Sequence, residues 1–227
     1  MNSRNRHRLR ELTHRNGISH FVVMHETGKG LLAYHNRGRP TKEQELKRLN
    51  TSPIIDDEIG QLRQDLRLKD TSNLLMLVSL ATDDMIRLVA MYPEVWFMDV
   101  TAGTNRQRRD LFMLAVRTVI GKTFPGNLTV IPSGKRWIFV CIYQLAFIAL
   151  YGKETCSRNR LTLTDEDSAE FGPFENSIAT MPEFSKSRLM LCVFHAVWQP
   201  FKKDIYPHLP KKAGTHILTT VGRSWGK

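Results

Sequence analysis

Apolar residues in this chain come in short runs, broken by glycine, proline, asparagine and charge. FVVMHE and GLLAYH flank Thr27-Gly28-Lys29-Gly30, a pattern that predicts a β-hairpin. Gly38 and Pro40 then break the chain. Thr41 with Gln44 forms a capping box that predicts a helix over KEQELKRL. Ser52-Pro53 starts another helix, with proline at its first position. Along it Ile55, Ile59, Leu62 and Leu66 recur at steps of three and four residues. Thr82 caps a third helix, Asp83 and Asp84 complement its positive end, and Tyr92-Pro93 stops it. The pattern then changes to strand-like runs at Val95–Val100, Leu111–Ile120 and Phe124–Ile131. An apolar helix over Lys135–Tyr151 follows. A strand at Leu161–Thr164, a helix from Phe174 to Thr180 after Pro173, and a strand at Arg188–Phe194 complete the series. Periodicity alone gives a mixed α/β domain.

Composition narrows the class. The 227 residues are 41% hydrophobic, enough for one sizeable core with an appended segment. The net charge of +11 suits a polyanion partner, most simply nucleic acid. The first fifteen residues hold Arg4, Arg6, Arg8, Arg10 and Arg15 against Glu11 alone. That reads either as a nucleic-acid arm or as a solvated tail. Cys141, Cys156 and Cys192 make no disulfide framework, which fits a reducing, intracellular compartment. Cys141 and Cys192 lie in apolar runs and are expected to be buried thiols. No apolar stretch follows MNSRNRHRLR, so no secretory signal is expected. The run Trp137–Tyr151 is shorter than the roughly 20 residues a membrane span requires, and it reads as a core helix. Pro207, Pro210 and Gly214 predict a basic loop after Tyr206.

The chemistry is carried by two aspartates. Asp99 closes the run VWFMD, and Asp165 follows LTLT. A carboxylate at the end of a buried strand must be paired, hydrogen-bonded or bound to metal. Two of them from neighbouring strands can converge on divalent cations, the layout of a two-metal nucleotidyl-transfer site. Each could equally cap the helix or turn that follows it. The loop after Asp99 carries Arg106, Arg108 and Arg109, placed to hold a DNA backbone or simply solvated. Gly121-Lys122-Thr123 is not a phosphate-binding loop, because position 116 is Val116 where that motif needs glycine.

PEVWFMDVTAGTNRQRRDLFMLAV (93–116), LTLTDEDSAEFGPFENSIATMP (161–182) and RLMLCVFHAVW (188–198) together resemble the catalytic core of Mutator-like element (MULE) transposases. They also resemble the ribonuclease-H-like domain of the SWIM zinc-finger proteins related to such transposases. The family pattern falls on Asp99, Thr101, Thr104-Asn105, Thr164-Asp165, and Cys192 with His195. The resemblance implies a ribonuclease-H-like mixed sheet with flanking helices, here preceded by a basic, mainly helical N-terminal segment. It divides the chain into a basic segment with the hairpin (1–50), a helical lead-in (51–92), the transposase-like core (93–206) and a basic C-terminal loop (207–227).

By resemblance Asp99 and Asp165 are catalytic metal ligands for Mg²⁺ or Mn²⁺. Thr101, Thr104, Asn105, Thr164, Asp167, Cys192 and His195 are motif or supporting residues, and Asp167 with Glu166 reads rather as solvated acid in a turn. The activity implied is metal-dependent DNA strand cleavage and transfer, in the nucleus. The family's third carboxylate lies well downstream of the Cys-x-x-His motif, and after His195 the only acid is Asp204, too early for that position. The expectation is therefore a core truncated before the third carboxylate, with its competence as an enzyme left open. The alternatives are a non-catalytic DNA- or protein-binding module and a decayed transposon remnant. Cys192 and His195 have no second pair to complete a tetrahedral zinc site, so zinc is not expected. DNA is the expected partner and a membrane is not; the oligomeric state is not legible.

Overall fold

The computed structural model describes residues 17–26, 29–36, 44–49, 52–65, 74–101, 109–165, 168–192 and 206–208. The chain divides into two units, Met1–Met190 and Leu191–Lys227. In the second, the described residues are Leu191, Cys192 and a 3₁₀ turn at Tyr206–His208.

The first unit is built on one sheet. Its strands are β1 (Ile18–Glu26), β2 (Gly30–Asn36), β3 (Gln44–Leu49), β4 (Leu74–Thr82), β5 (Val95–Thr101), β6 (Asp110–Arg117), β7 (Thr123–Ile131), β8 (Leu161–Thr164) and β9 (Arg188–Leu191). The spatial order is β3-β2-β1-β4-β7-β6-β5-β8-β9. β5, β6 and β7 form an antiparallel meander, and β8 lies parallel beside β5. The predicted hairpin is β1–β2, with Glu26 opposite Gly30.

Among the described residues four helices accompany the sheet: α1 (Pro53–Asp65), α2 (Asp83–Met91), α3 (Arg136–Ser157) and α4 (Ser168–Thr180). α2 is capped as its sequence predicts, with the Met85 amide donating to Thr82 Oγ1 at 3.2 Å. All four contribute apolar side chains to one core with Phe21, Val23, Trp96, Phe112 and Leu114. Alternate residues of β1, β2 and β4 (Val22, Met24, Leu32, Tyr34 and Val78) form a smaller core. A strand alternates its side chains, so this second core belongs to the opposite face of the sheet.

α3 is 22 residues long, and by length and composition it could cross a membrane. Half of its most apolar window is buried in the fold. Phe147 meets Trp96 edge-on at 5.4 Å between ring centroids, and Tyr143 meets Phe174 at 5.1 Å. Edge-to-face pairs of this kind add to the burial of large rings and mark a core helix. Ile142–Ala146 forms a π-helical turn within α3. Trp137 Nε1 donates to Glu58 Oε2 at 2.8 Å and ties α3 to α1.

Several expectations are corrected. The described N-terminal segment is mainly strand, not mainly helix. KEQELKRL supplies β3, which pairs antiparallel with β2 from Leu31↔Leu49 to His35↔Gln44. The capping-box residues there are outweighed by an open sheet edge that offers backbone hydrogen bonds, since tertiary context overrides a weak local preference. LLMLVSLAT, whose pattern assigns no element, is β4, lying between β1 and β7. Its sides feed both cores, so it shows the unbroken apolar run of a doubly buried strand. α4 begins at Ser168, and Pro173 lies inside it rather than at its start. β6 ends at Arg117, three residues short of its predicted end, and β9 ends at Leu191, with residues 193–194 of its predicted span outside the described residues.

Candidate functional site

The parallel register of β5 and β8 pairs Val95 with Leu161 and Phe97 with Leu163. Two residues further along each strand the same register brings Asp99 level with Asp165. Neighbouring strands lie about 4.8 Å apart, so the two carboxylates emerge side by side. Burial follows the alternation. Trp96, Met98, Thr162 and Thr164 are buried on the helix-covered face, whereas Phe97, Asp99, Leu163 and Asp165 are half-buried on the other. The sequence places the acids here because each run alternates large buried residues with the positions that carry Asp99 and Asp165.

The cross-strand neighbours on β6 are apolar. Asp99 lies directly across from Met113 on β6, and Thr101 across from Leu111. Two adjacent carboxylates among such neighbours repel one another, and a hard divalent cation relieves that repulsion through oxygen ligands. The donor chemistry therefore fits Mg²⁺ or Mn²⁺. Among the described residues no group of three or more His, Cys, Asp or Glu side chains is placed to hold a metal ion.

The remaining expected residues divide clearly. Thr101 is exposed at the end of β5. Thr164 is fully buried, with its hydroxyl lacking a hydrogen-bond partner. It lies on the face opposite Asp165, so it packs in the core rather than joining the aspartates. Cys192 follows β9 directly and is half-buried, so it is neither in the strand nor fully enclosed. Cys141 and Cys156 are the enclosed thiols, and burial pushes both up to about 12. At neutral pH both stay protonated and unreactive. Arg109 is half-buried in a cleft of about 290 Å³ with Leu75, Met76, Leu77 and Val130, and desolvation lowers its pKa. It stands at the start of β6, at the same end of the sheet as Asp99. Thr104, Asn105, Arg106, Arg108, Asp167 and His195 lie outside the described residues.

Two polar features belong to none of the sequence motifs. Glu170 is 1% exposed in the first turn of α4, five positions after Asp165. A lone acid among Ala169, Phe171 and Phe174 is the signal that marks it. Asn127 is fully buried, as are Ser79 and Thr129. Asn127 Nδ2 donates to Ser79 Oγ at 2.7 Å and to Thr129 Oγ1 at 3.1 Å, while Thr129 Oγ1 donates to Ser79 Oγ at 2.8 Å. The Leu114 amide donates to Asn127 Oδ1 at 3.1 Å, where the β6–β7 register shifts by one residue.

Residues 58–146 match the family described as zinc finger SWIM domain-containing protein 1/3, RNaseH-like domain. The match runs from α1 through the π-helical turn of α3. It includes Asp99 and stops before Asp165, and it begins well before the resemblance over 93–206. The strand order β7-β6-β5-β8-β9, with helices α3 and α4 between the last strands, is consistent with that fold. Such a domain is a nuclease-like or nucleic-acid-related module. None of the curated proteins matches the chain.

Proposed function

We propose, for a chain whose residues 58–146 form a ribonuclease-H-like domain of the SWIM zinc-finger family, that Asp99 and Asp165 hold a divalent cation at a nucleic-acid phosphate. The ancestral chemistry is that of a Mutator-like transposase, DNA strand cleavage and transfer in the nucleus. The observation that carries this reading is the β5–β8 register, which sets the two aspartates level on neighbouring strands. Mg²⁺ or Mn²⁺ bound there would polarise the phosphoryl oxygens and lower the pKa of an attacking water. Asp99 and Asp165 would supply the carboxylate oxygens. Thr101, at the exposed end of β5, and Arg109, on the same end of the sheet, would face the nucleic-acid backbone.

A second reading has its own support. Among the described residues no third acid joins the pair, and ligand number sets both affinity and geometry at a hard-cation site. The domain would then hold nucleic acid without cutting it. Calorimetric titration with MnCl₂ tests the site itself. The wild type binds, and Asp99→Asn or Asp165→Asn abolishes most of the signal while the circular dichroism stays unchanged. Equal Mn²⁺ affinity in both variants would remove the metal site. Nicking of supercoiled plasmid separates the readings. Mn²⁺-dependent cleavage lost in Asp99→Asn supports the nuclease, and metal binding without cleavage supports the binding module.

A further inference from the structure

The end of the sheet away from the aspartates is basic. Arg117 closes β6, Lys122 precedes β7, Arg160 precedes β8, and Lys186 and Arg188 stand before and at the start of β9. All five are exposed. Backbone hydrogen bonds hold part of this row in order: the Arg160 amide donates to Glu94 O, and the Arg188 amide to Arg160 O, both at 2.9 Å. Acids are few here and mostly engaged. Glu94 pairs with Arg158 at 3.5 Å, and Glu183 with Lys153 at 2.9 Å. Glu154 is exposed on α3, and Asp83 and Asp84 begin α2 on the far side of β7. Among the described residues no carboxylate pairs with Arg117, Lys122, Arg160, Lys186 or Arg188.

The β6–β7 turn adds a second feature. Val119 is 86% exposed and Ile120 72%. Two adjacent β-branched residues held in water are unusual when the turn itself is fixed. The Thr118 amide donates to Lys122 O and the Gly121 amide to Thr118 O, both at 2.9 Å. Gly121 takes a φ of +77°, which a side chain disfavours. The apolar tip is thus held out rigidly between Arg117 and Lys122.

We propose that this basic rim grips the phosphate backbone of duplex nucleic acid, with Val119 and Ile120 entering a groove. From β7 to β9 the row crosses four strand spacings, about 19 Å at about 4.8 Å each. That spans a minor groove about 6 Å wide and reaches phosphates on both sides of it. Apolar wedges flanked by cations are a recurrent way to unstack a base step. The surface is distinct from the aspartate site, so a duplex held here leaves Asp99 and Asp165 free for another segment. The choice of a nucleic acid rests on the reading of the domain given above; the metal site does not enter.

Fluorescence anisotropy of a labelled short DNA duplex, with EDTA and over a range of NaCl concentrations, tests this. Arg117→Gln/Arg188→Gln removes two exposed cations with no carboxylate partner among the described residues. It is expected to weaken binding and to lower the slope of log affinity against log salt by about 2. Val119→Ser/Ile120→Ser is expected to keep that slope and to lose the end-to-end shortening of a doubly labelled duplex. Arg136→Gln, which removes an exposed cation at the start of α3, is expected to keep the wild-type slope. An unchanged slope in the Arg117/Arg188 variant overturns the rim. A slope lowered as much by Arg136→Gln shows diffuse charge attraction and overturns it too. Tighter binding to phosphatidylserine vesicles than to duplex assigns the rim to a membrane surface and overturns it as well. A failed Mn²⁺ titration alongside the expected arginine result overturns the aspartate site alone.

Discussion

Two sets of polar side chains on the same sheet obey opposite rules. Ser79, Asn127 and Thr129 are fully buried and bond to one another and to the Leu114 amide. Asp99 and Asp165 are half-buried, alike in charge and unable to satisfy each other. The first set is closed: every group needs the others, and the fold depends on it. The second is open in another sense: two like charges stand side by side, where a cation would offset them. A buried polar network is costly to break because each lost partner leaves another group desolvated. A half-buried acid pair at a sheet end costs less to remove than such a network.

The contrast is broken most directly at Asn127. Asn127→Ala strands the Leu114 amide and two hydroxyls, and a loss of about 3 kcal/mol is expected in urea unfolding. Gly126→Ala comes next. A Cβ there would lie 2.5 Å from Leu114 Cδ2 and 2.6 Å from Val89 Cγ2. Overpacking of this kind costs about 1–3 kcal/mol, read as a lower urea midpoint with an unchanged slope.

His25 is an intermediate case, closed at one pH and opened at another. Arg63 Nη2 donates to His25 Nδ1 at 2.7 Å and fixes the end of α1 to β1. Desolvation lowers the His25 pKa below 6.5, the Arg63 charge lowers it further, and Asp56 opposes them. The unfolded chain therefore binds the proton more readily. The stability from this pair is complete above pH 6.5 and declines as the pH falls below it. Urea midpoints should drop with acidification in the wild type, and more shallowly in His25→Gln. The smallest effect is expected at the open pair. Asp99→Asn should change metal-free stability by less than about 0.5 kcal/mol, while removing any rise in melting temperature that the wild type shows on titration with Mn²⁺, the rise expected if the proposed site binds it. A large metal-free loss in Asp99→Asn would make the aspartates part of the closed class.

Legibility in the sequence follows the same division. β5 to β8 and α3 were readable because unbroken apolar runs bounded by glycine, proline and charge have few other uses. The acids at Asp99 and Asp165 were readable because they interrupt such runs. β4 was not, since LLMLVSLAT lacks the alternation that separates a strand from a buried helix. β3 was misread because the local capping signal at Thr41 and Gln44 says nothing about the open edge of β2. Asn127, in the run TFPGNLTVI, looks like a turn residue. Its role depends on Ser79, 48 positions away, so only the folded sheet reveals it. The basic end was hidden for the same reason, because Arg117, Arg160 and Arg188 are scattered in the sequence and meet only through strand order.

The π-helical turn at Ile142–Ala146 has a consequence for how this chain tolerates deletion. Such a turn is an α-helix carrying one surplus residue, which it takes up locally so that the turns on either side keep their facing. Here Phe139 before it and Phe147 and Tyr151 after it all reach the same core. An in-frame loss of one codon within the turn would restore a plain α-helix and leave both flanks facing as they do now. The same loss one turn later would swing Tyr151 away from Trp96. A scan of single-codon deletions along α3 should therefore show one narrow window of survivors, centred on Gln144.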